Sequence, residues 1–226
     1  MNFFAENLKV FKKVFLPLFA LVVLSSNIDQ YLNLKMETAL RDPLGVQTQV
    51  VYYGFLSILS SILFPVLLAS IALFALNSLD STTKTLQDFW DRHLNQMYIE
   101  TLRAWGKTLQ WTLLLIIPGI WKYVELSMVP FVVTSSQQYD EGKVDALKGS
   151  AQIVRRRWFV VLSILVLFHL FIPGILTTIF DAYRLIWKTP LQSLLLSALD
   201  TYLLLVSTHI LFNIFRSEVR RHDAHV

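Results

Sequence analysis

Long apolar runs alternate with short charged stretches along this chain. Four runs, at about residues 11–28, 51–76, 158–180 and 191–215, are long enough to cross a hydrocarbon core about 30 Å thick as helices. A fifth, at 108–135, is interrupted near its middle by Ile117-Pro118-Gly119-Ile120, and Lys122 and Glu125 follow at once. The same tetrapeptide recurs at Ile172-Pro173-Gly174-Ile175, inside the run at 158–180. Pro removes a backbone donor and Gly weakens a helix, so Pro118, Gly119, Pro173 and Gly174 read as helix breaks. Backbone groups freed at that depth need partners from neighbouring protein or a wet cavity, because lipid offers none. The pattern predicts an all-α fold. It is a polytopic transmembrane helical bundle with Pro-Gly-broken helices, forming a single integral membrane domain over residues 1–226.

Two stretches between the runs carry a helical period instead of a continuous apolar sequence. Over residues 81–105, Leu86, Phe89, Trp90, Leu94, Met97, Leu102 and Trp105 recur at helical spacing with charges between them. Asp80 or Ser81 can cap this helix and Gly106 can end it. Over residues 142–157, Val144, Leu147, Ala151 and Val154 step toward Trp158 as one stripe. Both read as cytoplasmic interfacial helices, the first either lying on the membrane or packed on other segments. Phe3, Phe4, Leu8 and Phe11 read as a short amphipathic lead-in to the first span, and Arg41-Asp42-Pro43-Leu44-Gly45 as the turn of a polar connection after it. Lys12-Lys13 ahead of Val14 to Leu24 resembles the start of a signal peptide, but no clear small-x-small site follows. The segment reads as an uncleaved span. Ser57, Ser60, Ser61, Ala69, Ser70, Ala72 and Ala75 let other helices approach the second span closely, which predicts a central place for it.

Charge decides how the fifth run is placed. It either spans, with Lys122 paired, or enters and returns as a re-entrant hairpin. If it returns and the N-terminus is cytoplasmic, fifteen Lys and Arg fall on the cytoplasmic side and four on the other. If it spans, the two sides hold nine and ten. The positive-inside rule favours the hairpin, with both termini cytoplasmic. A net charge of +4, with basic residues clustered beside the spans, points to anionic lipid headgroups rather than nucleic acid. Arg155, Arg156 and Arg157 are the expected headgroup contacts.

Ionisable residues inside apolar runs are functional candidates, because an isolated charge in hydrocarbon is costly. Lys122, Glu125, His169 and Asp200 are expected to form a polar cluster at the bilayer midplane, with His209 a further intramembrane His. In an antiparallel hairpin turning near Tyr183 and Arg184, His169 and Asp200 reach similar depth. Such a cluster could relay protons or hold a substrate, or it could be a charge-neutral packing device. No catalytic set is assigned. The chain has no Cys, and His222 and His225 alone do not make a metal site. No phosphate-binding glycine loop, zinc-protease motif or nucleophile elbow is present, and no cofactor is expected. Tyr and Trp near the ends of the runs read as interface anchors.

Glu141-Gly142, Ala146-Leu147-Lys148-Gly149-Ser150, Ile153-Val154-Arg155 and Trp158 form a signature. Together with Ile117-Pro118-Gly119-Ile120 and Leu211-Phe212-Asn213-Ile214-Phe215-Arg216, it resembles that of the YciC-like bacterial inner-membrane proteins. It is also similar to the membrane domain attached to some glycerophosphodiester phosphodiesterases. The resemblance covers roughly residues 80–216. It departs at Phe212, where an aromatic hydroxyl is common, and in the polar stretch after the first span. It implies location and architecture, not a reaction. The reading is therefore a non-enzymatic membrane protein that acts as a scaffold or handles lipid or small solutes. Its expected partners are membrane lipids, with a membrane protein or a second copy as further candidates. The alternatives are a transporter or channel subunit with its substrate at the Gly119 or Gly174 break, and an intramembrane enzyme. The repeated tetrapeptide admits a weak internal repeat of the kind transporters show, although its flanks align poorly.

Overall fold

The computed structural model of the chain describes residues 3–41, 47–77, 85–180 and 189–223. These residues are almost wholly helical, with no strand among them, so the fold is an all-α bundle. Among the described residues, five stretches are long and apolar enough to cross a membrane: Val14–Arg41, Thr48–Asn77, Ile116–Ser135, Trp158–Phe180 and Pro190–Arg220. Large apolar side chains such as Phe55, Ile58, Phe159, Leu170 and Leu195 remain exposed, each 62% or more. A water-facing surface of that kind would aggregate, whereas a lipid-facing one is expected to be apolar.

Helix α1 (Phe3–Arg41) lies along α2 (Gln47–Asn77) and buries Val14, Leu18 and Val22. The polar connection expected after the first span is instead the continuation of α1 to Arg41. Residues 29–41 hold no Gly or Pro and many good helix formers, so nothing stops the helix before the Pro43 region. That turn lies outside the described residues. In α2, residues 71–76 are all buried and Ser70 accepts a hydrogen bond from Trp90 Nε1 at 3.0 Å, so the small-residue half of this helix does sit in the core.

Helix α3 (Leu86–Leu114) starts at Thr85, whose hydroxyl accepts from the Asp88 amide. Asp80 and Ser81, the expected caps, lie outside the described residues. Gly106 does not end this helix: α3 continues to Leu114 and its chain reverses at Leu115, where the backbone is extended. Its stripe of Phe89, Met97 and Ala104 packs into the protein core. Helix α4 (Ile116–Leu126) then returns along α3. The break is thus at Leu115, three residues before the Pro expected to make it. Pro118 sits in the first turn of α4, where a missing N–H costs nothing. Gly119 is the contact: a Cβ there would lie 2.7 Å from the Thr112 Cα, so only Gly lets the two arms close.

Helix α5 (Val129–Ser135) follows a turn at Ser127-Met128, and a short α6 (Gln137–Asp140) leads to Gly142, whose φ of 69° reverses the chain. Helix α7 (Ala146–Arg156) is capped by Asp145, which accepts from the amides of Leu147 and Lys148. The rest is one long helical run, α8 (Trp158–Leu165), a π-helical turn (Val166–Phe171) and α9 (Ile172–Phe180). The second Ile-Pro-Gly-Ile therefore does not break its helix. The preceding turn widens, with the Ile172 amide bonding to the Leu167 carbonyl, and so accommodates Pro173. Helix α10 (Pro190–Asp223) closes the bundle against α1 and α2, and reaches α7 and α8.

Candidate functional site

The best-defined polar site lies where α4, α7 and α8 meet. Glu125 is 1% exposed and accepts three hydrogen bonds: from Lys122 Nζ at 2.6 Å, Arg155 Nε at 2.7 Å and Trp121 Nε1 at 3.0 Å. Removing a carboxylate from water costs several kcal/mol, and the two charge-assisted bonds offset that cost. Below it, Ser150 is fully buried. Its hydroxyl donates to the Glu125 carbonyl at 2.7 Å and accepts from the Met128 amide at 3.2 Å. These are backbone groups stranded where α4 ends and α5 begins, so one hydroxyl satisfies both sides of the break. Gly149 beside it leaves room for Val132, whose Cγ1 would be 3.3 Å from an added Cβ. The Ala-Leu-Lys-Gly-Ser sequence is thus the packing face that holds the hairpin.

Two further ion-pair networks flank this clamp. Glu218, 3% exposed on α10, accepts from Arg157 Nε at 2.7 Å, with Arg156 at 4.0 Å. Arg103 on α3 bonds Glu100 at 2.7 Å and Asp145 at 3.0 Å, joining α3 to the start of α7. Burial pushes the Asp145 carboxyl up, but the Arg103 guanidinium and the Lys148 and Leu147 amides outweigh it and hold it below its ordinary range.

Contacts along the chain set depth. Trp121 stacks on Trp158 with ring centroids 4.4 Å apart, while Glu125 meets Arg155, so α4 runs antiparallel to the α7–α8 path. From Trp121 to the turn at Leu115 is about 9 Å of helix. From Trp158 to His169 is about 16 Å. Lys122 and Glu125 therefore sit at the mouth of the Trp158–Phe180 stretch, not at its middle. His169 is exposed on the π-helical turn. The Arg157–Glu218 pair also fixes the register of α10 against α8. Measured from it, His169 lies about 18 Å along its helix and Asp200 about 27 Å along α10, so their levels differ by about 9 Å. The structure brings together Lys122 and Glu125 but does not gather the four candidates at one level. Asp200 is half-buried between buried Ser197 and Thr201, and His209 is buried farther along α10. Arg155 and Arg156 keep most of their side chains exposed while making their ion pairs.

Several residues escaped the sequence reading. Glu218 and Asp145 are one group, together with Ser150, which entered only as one residue of the signature and with no role of its own. On α1, Asp29 accepts from Ser60 at 2.6 Å, and the buried Asn27 Oδ1 and Gln30 Oε1 have no hydrogen bond among the described residues. The run Ser25-Ser26-Asn27-Ile28-Asp29-Gln30 was the available signal, a polar patch at the end of an apolar run. Among the described residues no group of three His, Asp or Glu could hold a metal, and His222 and His225 contribute no described side chain. No family model, no curated protein and no solved structure matches this chain.

Proposed function

We propose that this chain is a multi-pass protein of the bacterial inner membrane that acts without catalysis, organising or carrying lipid at the cytoplasmic face. In this reading α3 and α4 form a re-entrant hairpin whose apolar tip enters the cytoplasmic leaflet and returns. The observation that carries it is the turn at Leu115, flanked by Leu113, Leu114, Ile116 and Ile117, each at least 67% exposed. The tip reaches only about 9 Å beyond the Trp121–Trp158 pair, short of a leaflet about 15 Å deep. Helices α4 and α5, of 11 and 7 residues, are each too short to cross alone. The distribution of Lys and Arg and the resemblance to YciC-like proteins support the same arrangement. The transporter reading loses its half-helix end at Gly174, which lies in a continuous helical run. An intramembrane enzyme built on Glu125 would need that carboxylate free, and it is held by three donors.

The chain contains no Cys, so single Cys residues report position directly. Lys107→Cys and Lys143→Cys variants in sealed vesicles are treated with an impermeant maleimide from either side. Both should label from the cytoplasmic face only. Labelling from opposite faces would show that the segment spans and would overturn the hairpin.

A further inference from the structure

Between α5, α6, α7 and the end of α10 opens a cavity of 810 Å³. It belongs to none of the ion-pair networks as such, although it borders two of them. Its floor is apolar, with Val132, Ile153 and Val219 among the lining residues. Its polar side is rich in donors. Gln138, Gln152 and Ser136 line it and make no side-chain hydrogen bond among the described residues. Arg155 spends its Nε on Glu125 and keeps 63% of its side chain exposed, and Arg156 approaches Glu218 no closer than 4.0 Å. Both guanidinium groups therefore present free N–H edges to the cavity.

The local charge is unbalanced. Among the described residues, Lys122, Arg155, Arg156 and Arg157 face two buried carboxylates, Glu125 and Glu218, which leaves two positive charges in excess. Glu141, which also lines the cavity, is neutralised by Lys143 at 2.6 Å. An anion that accepts several hydrogen bonds answers both the charge and the donors, and guanidinium forks suit phosphate oxygens. The position narrows the choice. Arg155 to Arg157 immediately precede Trp158, the first residue of an apolar stretch, so the cavity lies at headgroup level, where the abundant anions are phosphate esters. The volume exceeds that of a bare ion and suits a small esterified group.

We propose that this cavity binds a glycerophosphate group, with the phosphate against Arg155 and Arg156 and the glycerol portion over Val132, Ile153 and Val219. The site deepens the membrane-face reading above and rests on it for the depth of the cavity. The same chemistry could arrive on an anionic phospholipid or as a free glycerol phosphate.

The test uses the full chain purified from mixed micelles of phosphatidylglycerol and phosphatidylcholine, with retained lipid read by native mass spectrometry. The wild type should keep phosphatidylglycerol in preference. Arg156→Gln removes one charge and Gln152→Glu adds an opposing one, and each should lower that preference about fivefold. Both positions are exposed, so the melting temperature should stay unchanged. Lys148→Gln removes a nearby charge that does not line the cavity and should leave the preference intact. Displacement of the lipid by glycerol 1-phosphate would assign the site to the soluble ester, and its failure to displace would assign it to the lipid. Absence of any preference, an unchanged preference in both cavity variants, or an equal loss in Lys148→Gln would overturn the site. Such a result with Lys107 and Lys143 still labelling from one face would remove the site alone and leave the hairpin standing.

Discussion

Ser150 carries no charge and lies in a polar-looking stretch, yet two helices change direction around its hydroxyl. Replacing it with Ala strands the Glu125 carbonyl and the Met128 amide in the core, at about 1–3 kcal/mol for each group left unsatisfied. Ser163 offers a control, because it is exposed and bonds only the Phe159 carbonyl of its own helix. Thermal unfolding in detergent should show Ser150→Ala clearly destabilised, and Ser163→Ala within about 0.5 kcal/mol of the wild type. Equal melting of the two variants would refute the bridging role. The contrast also shows what a sequence reveals at this scale. Lys122 and Glu125 stood out because charges inside an apolar run are rare and costly. Ser150 and Glu218 did not, because their partners are 25 and 61 residues away and only folding brings them together.

Among the elements, the two copies of Ile-Pro-Gly-Ile are the instructive case. Identical tetrapeptides read alike, and both were expected to break a helix. The outcome differs because a Pro interrupts only what precedes it. Ahead of Pro118 the chain has already turned at Leu115, so the ring sits harmlessly in a first turn. Ahead of Pro173 the helix continues, and a π-helical turn absorbs the misfit. The period of the apolar residues located α3 and α7, but it could not show that α3 runs past Gly106 or that α1 runs on to Arg41. A Cβ added at Gly106 would meet nothing within 4 Å, and an exposed Gly alone does not terminate a helix whose next residues favour it. The two Pro-linked glycines then make opposite predictions. Gly119→Ala forces a Cβ against the Thr112 backbone, where no side-chain rotation relieves it, and should cost about 1–3 kcal/mol. Gly174→Ala meets nothing within 4 Å and should be neutral, or stabilising by up to about 1 kcal/mol. Melting temperatures of the two purified variants decide this, and a Gly119→Ala protein as stable as the wild type would mean the arms do not pack as described.

For the whole molecule, the membrane character and the helical bundle were legible because bilayer thickness imposes a length on every apolar run. Relative depth was not, since it depends on which helices pair and in what register. The Glu125–Arg155, Trp121–Trp158 and Arg157–Glu218 contacts supply that register. They separate groups that symmetry about an assumed turn had placed together. They also give a ranking along the membrane normal. Phe159 beside the Trp pair should be shallowest, Leu115 about 9 Å beyond that pair, and His169 about 16 Å beyond it. Nitroxide labels on single Cys residues at these three positions, in a chain with no other Cys, report depth through their relative collisions with oxygen and a polar relaxation agent. The hairpin requires Leu115 to fall between Phe159 and His169. A spanning segment would carry the chain onward, so a Leu115 label deeper than that at His169 would contradict the shared register of α4 and α8. The order is a stronger test than any single depth, because tilt of the bundle scales all three distances together and leaves their sequence unchanged.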